Sequence, residues 1–139
     1  MAVASGLTDL WEGRILSMNF AQGTSPTPAT WYVGVVTAPP ADDSGTATTY
    51  EPVGGSYVRM PITFEAQGAY LVQLAPVTFP EATGLWGDIT GFVIYDSSAG
   101  VQHLMYGEIV GDPRTVDVGD TVNFDIGMIS AWLAPTYTP

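Results

Sequence analysis

Apolar residues in the first part of the chain recur at spacings of three and four: Leu7, Leu10, Trp11, Ile15 and Met18, with Asp9, Glu12, Arg14 and Asn19 mostly on other faces. This period predicts one amphipathic helix over about residues 7–20. Ser5 or Thr8 can cap its start, Asp9 suits the positive end of the helix dipole, and the stretch QGTSPTP ends it with glycine followed by prolines. Gly13 inside the pattern weakens it.

Beyond the helix the period changes to that of strands. The segments TWYVGVV, SYVRMPITF, AYLVQLAPVTF, ITGFVIYD, VQHLMYGEIV, TVNFDIG and MISAWLA follow one another, each bounded by Gly, Pro, Asp or Ser. No helical segments separate them as crossovers, so the pattern predicts a mainly β fold. The expected architecture is an antiparallel, jelly-roll-like β-sandwich of about seven or eight strands with one short N-terminal α-helix. The whole chain, 1–139, reads as a single domain: helix about 7–20, sandwich about 30–133, extended tail 134–139.

Within SYVRMPITF, Val58, Met60, Ile62 and Phe64 share one face, and Tyr57, Arg59, Pro61 and Thr63 the other. Pro61 cannot donate to a sheet ladder, which places this strand at an edge or gives it a bulge. In ITGFVIYD both alternating sets are largely apolar, so that strand is expected to be covered on two sides, by the helix or by another subunit. The stretch TAPPADDSGTATTYEPVGG has the composition of a surface excursion, and the tail LAPTYTP reads as frayed or laid across a neighbour.

Charge narrows the partners. Fourteen acidic side chains face only Arg14, Arg59 and Arg114, giving a formal net charge of −11. Such a surface repels phosphate backbones and anionic lipid, so no nucleic acid and no membrane is expected as a partner. No apolar run approaches the ~20 residues that span a bilayer, and the N-terminal stretch lacks the basic start and apolar core of a signal peptide. Folding in a cytoplasm is the expectation. The absence of cysteine removes disulfides and thiolate metal sites from consideration.

Candidate chemistry is sparse. His103 is the one imidazole and sits among hydrophobes, where Tyr57, Asp96 or a strand neighbour can partner it; a structural role outweighs that of a catalytic base. Asp112, Asp117, Asp120 and Asp125 lie close in sequence, but they lack the spacing of a calcium loop, which must converge about six to eight oxygens. Asp88, Asp96 and Glu108 would form a glycosidase pair only if two of them faced each other at about 5–10 Å. The glycines of EPVGGSY have neither the lysine nor the helix start of a phosphate loop. No catalytic residue, cofactor or metal is therefore expected. Trp31 and Trp132 fall in strand-like segments as core or interface residues. Trp86, Tyr50 and Tyr137 remain as candidate ligand or subunit contacts, with Trp86 more readily read as a corner plug of the sandwich.

Read in order, a short helix, then PATWYVGVVTAPPADDSGT, YEPVGGSYVRMPITF, PVTFPEATGLWGDITGFVIYDSSAGVQHLMYGEI and VDVGDTVNFDIGMISAWL, the chain resembles the small virion structural proteins of tailed bacteriophages, commonly labelled tail fibre or minor tail proteins. The likeness covers roughly residues 7–133; its specific parts are WYVGVVTA, GGSYVR, VTFP with WGDITGFVIYD, and VGDTVNFDIG. The chain departs from the pattern of the proteins it resembles after the aspartate of IYD: where many of them have a glycine-rich turn and a leucine pair, it has SSAGVQHLMYG. The resemblance implies a β-sandwich used as a particle component. It implies as partners other copies of itself, in an oligomer for which capsid geometry suits a trimer, and other virion proteins, foremost the major capsid protein. A compact acidic domain without shaft or repeat favours a capsid decoration protein on the head over a tail-fibre or minor tail component. A carbohydrate-binding module, with Trp86 and Tyr50 stacking on sugar, is the competing class; a hydrolase using Asp88 and Glu108 is the weakest.

Overall fold

The segment ITGFVIYD, apolar on both faces, supplies the middle strand of the largest sheet. The computed structural model describes residues 6–21, 30–39, 50–68 and 70–132, of Trp132 the backbone only. Among them are one helix, α1 (Asp9–Phe20), and twelve short strands. Five strands form one sheet in the order β1 (Gly6–Leu7), β9 (His103–Glu108), β8 (Gly91–Tyr95), β2 (Trp31–Val36), β3 (Met60–Ile62). A three-stranded sheet runs β12 (Ser130–Trp132), β5 (Tyr70–Gln73), β4 (Phe64–Gln67), and two pairs join β10 (Arg114–Val116) to β7 (Gly87–Ile89) and β11 (Asn123–Phe124) to β6 (Val77–Thr78). All pairings are antiparallel, as the sequence predicts.

The strands are more numerous than expected because turn residues cut the long segments. SYVRMPITF divides into β3 and β4 at Thr63, AYLVQLAPVTF into β5 and β6 around Pro76, and ITGFVIYD into β7 and β8 at Thr90. β1 and β10 are too short to show a period in sequence. Pro61 lies in β3 at the edge of its sheet, where its missing N–H costs no ladder bond. The backbone N–H of Val35, two residues past Val33, the last residue paired with β3, donates instead to the Tyr57 hydroxyl at 3.0 Å.

The main core lies between the five-stranded sheet and the small sheets. Val33, Val35, Ile62 and Ile94 from the large sheet meet Val77, Phe79, Trp86, Ile89, Val116, Phe124 and Ile129. Rings carry much of this contact: Trp86 lies edge-on to Tyr57 at 5.2 Å and to Phe79 at 6.2 Å. The other face of β8 buries Val93 and Tyr95 in a second cluster with Val36, Tyr106 and the half-buried Tyr32. The expectation of a strand covered on both sides is met, but not by the helix. Part of the second face is closed by Glu51 and Arg59, which return over Gly34 and Tyr95; a β-carbon on Gly34 would stand 2.5 Å from Glu51 Oε1.

Helix α1 departs from the amphipathic expectation. None of its residues is fully buried. It docks through Trp11, edge-on to Trp31 at 5.6 Å, and through Arg14, which donates to Gln102 Oε1 at 3.0 Å and faces Asp96 at 3.6 Å. Its last turns carry Leu16, Met18 and Phe20 into solvent, the last 83% exposed. Met18 follows the inward spacing of Trp11 and Ile15, yet it is 47% exposed. Leu16 and Phe20 add apolar bulk elsewhere on the helix, so no clean polar face exists. Thr8 occupies the N-cap position without capping. Its hydroxyl turns away to the His103 carbonyl at 3.0 Å and its N–H to the Leu104 carbonyl at 3.0 Å, pinning the start of the helix to β9. Ser5 and the stretch QGTSPTP lie outside the described residues.

Candidate functional site

The densest polar constellation among the described residues is built where residues 50–59 cross the second face of the large sheet. Residues 54–57 form the turn that reverses the chain, with a Tyr57 N–H to Gly54 carbonyl bond at 3.0 Å and positive φ at Gly55 and Ser56. Two left-handed central residues give the twist of a primed turn; the glycine adopts it freely, while Ser56 is held by its hydroxyl against that of Thr83 at 2.8 Å. The turn is further fixed by the Trp86 indole N–H, which donates to the Gly55 carbonyl at 2.8 Å.

This reversal brings Arg59 onto Glu51. The guanidinium donates through Nη2 to Glu51 Oε2 at 2.8 Å and through Nε to Oε1 at 3.0 Å, a two-pronged contact that matches the planar fork to the carboxylate. The Tyr57 hydroxyl donates to Oε1 at 2.7 Å and the Tyr95 hydroxyl to Oε2 at 2.9 Å. Arg59 lies over the Tyr95 ring, its Cζ 3.3 Å from the centroid. Its remaining amine, Nη1, donates to the carbonyls of Ser97 at 3.2 Å and Gly100 at 2.6 Å.

These contacts set the titration of the group. Burial works to raise the Glu51 carboxyl, but the hydrogen bonds from Arg59 and Tyr57, the Arg59 charge and the Tyr95 hydroxyl outweigh it and hold Glu51 below its ordinary value of 4.5. Burial, reinforced by the Glu51 charge, pushes the Tyr57 phenol well above the usual range. Arg59 is raised, its contact with Glu51 overcoming its own desolvation.

The chemistry available here is that of a clamp. Each carboxylate oxygen of Glu51 already accepts at least two donors, and all three nitrogens of Arg59 are engaged. A depression of about 600 Å³ opens beside the pair, walled by Pro52, Val53, Val58, Ser98 and Ala99. What the pair does hold is the β8–β9 turn: Arg59 grips its middle, Arg14 grips Asp96 and Gln102 at its ends, and the Gly100 N–H closes on Ser97 Oγ at 2.7 Å. Two of the three arginines of the chain thus serve one polar turn.

The residues singled out from sequence fall elsewhere. Trp86 is 4% exposed and belongs to the main core, so its indole plugs the sandwich and offers no open ring face. Tyr50 is half-exposed, and its carbonyl accepts from the Thr37 N–H at 2.9 Å. Tyr137 lies outside the described residues. Trp31 is half-buried against the main core. His103 is fully buried; it makes no hydrogen bond to Tyr57 or Asp96, its neighbour is the Tyr95 ring at 6.5 Å, and neither ring nitrogen has a partner. Asp96 and Glu108 sit at opposite ends of the β8–β9 hairpin, roughly 15 Å apart along the strands, too far for a carboxylate pair. Asp88 accepts from the Thr115 hydroxyl on the neighbouring strand. The backbone N–H of Asp120 closes a tight turn on the Asp117 carbonyl at 3.0 Å. No group of three or more potential metal ligands converges among the described residues, and no helix among them is long and apolar enough to cross a membrane. Glu51 and Arg59 were not singled out as a pair from sequence; the signal available was the scarcity of cations, with Arg59 on the polar face of its strand.

The sequence profile of the family described as Podophage GP4 fiber I protein gp80 matches residues 6–131. The chain belongs to this family. The match begins at β1 and ends within β12, so the gp80 family shares the span that contains the helix, the clamp and every sheet. Membership places the chain among phage virion structural proteins of fibre type, in agreement with the resemblance read from its motifs. No curated protein matches it.

Proposed function

We propose that this gp80-family chain is a non-catalytic building block of a virion fibre, contributing to the apparatus by which the particle attaches to its host. The observation that carries the reading is the family match across the entire set of described elements. The decoration role expected from a compact acidic domain has no comparable support, and the fibre role is the better fit. A sugar-stacking module loses one of its two candidate platforms with the burial of Trp86.

The partners are other copies of the chain and neighbouring virion proteins. Large apolar side chains left in solvent support this: Leu16 and Phe20 on α1, Tyr70 and Leu74 along and after β5, and Ile126 and Met128 in the turn before β12. Contacts between copies must form through such uncharged surface, because chains this acidic repel one another elsewhere. Gold-labelled antibody against the recombinant chain, imaged on intact particles, tests the assignment. Label on fibres at the tail is the expected outcome; label spread over the head would replace it with the decoration role.

A further inference from the structure

We draw no further inference here: the strongest candidate, the exposed apolar surface of the three-stranded sheet and the adjoining turn around Tyr70, Ile126 and Met128, carries nothing beyond the assembly role already proposed, because nothing in the structure shows what covers it.

Discussion

The middle of the five-stranded sheet and helix α1 draw on similar residue types and treat them in opposite ways. β8 buries Val93, Ile94 and Tyr95 completely, with one cluster on each of its faces. α1 buries none of its residues, and Leu16, Met18 and Phe20 stand in water. Apolar content alone therefore does not make core; a residue needs an opposing element. β8 has the small sheets on one side and the residues around the clamp on the other, whereas α1 is fastened only at its first two turns by Thr8, Trp11 and Arg14. A particle component can leave such a surface open when its stability is secured elsewhere and a neighbour is to meet it.

The comparison breaks first at the core. Trp86→Ala removes a buried ring that ties Tyr57, Phe79 and the 54–57 turn together, and is expected to cost about 3–5 kcal/mol in urea unfolding. A cost below about 1 kcal/mol would mean that this corner of the sandwich is not packed as described.

The clamp comes next. Arg59→Ala strips Glu51 of its cation and frees the β8–β9 turn. The side chains of the pair are 11% and 15% exposed, so about 2–3 kcal/mol is expected, short of the full cost of breaking a wholly buried pair. Hydrogen exchange in residues 96–102 should rise with it; unchanged protection there would show that Arg59 does not hold the turn.

A smaller effect separates the clamp from the general acid sensitivity of a chain with fourteen carboxylates. Glu51 is held below its ordinary value in the folded state, so its contribution is fully present above about pH 4.5 and is lost as pH falls through the lower folded value. Between about pH 5 and pH 3 the urea midpoint of the native chain should fall more steeply than that of Glu51→Gln, which has no such proton to gain. Parallel curves for the two proteins would contradict the assignment.

The smallest change in stability is expected on the helix. Phe20→Ser and Leu16→Ser should leave unfolding within about 0.5 kcal/mol of the native chain while weakening self-association in sedimentation experiments. A loss comparable to that of Trp86→Ala would show that α1 is covered within one chain, and unaltered association would remove it from the contact surface.

Much of this contrast was legible in the sequence on the sandwich side and little of it on the helix side. Strands announce themselves by alternation: Val33 and Val35, or Ile62 behind Pro61, point to their faces without knowledge of a partner, and Pro61 marks its own edge. The helix period groups Leu10, Trp11 and Ile15, which do lean on the body, but it cannot say where the body ends, and Met18 falls beyond it. The clamp was hidden for a different reason. Glu51 and Arg59 are eight positions apart across a turn whose left-handed Ser56 no local rule requires, and their meeting depends on Gly34, in another strand, leaving room for the carboxylate. Trp86 is legible in sequence as a corner plug of the sandwich, but its packing on Tyr57 and Phe79 and the Gly55 carbonyl that receives its indole N–H come from distant parts of the chain.

The central claim, that this chain is a fibre component of the virion, is tested most directly by its copy number in purified particles, measured by quantitative mass spectrometry against the major capsid protein. The account predicts that the chain is present at a small copy number, far below that of the capsid protein. A copy number comparable to the capsid protein would move it to the head as a decoration protein, and absence from purified particles would contradict a virion role altogether.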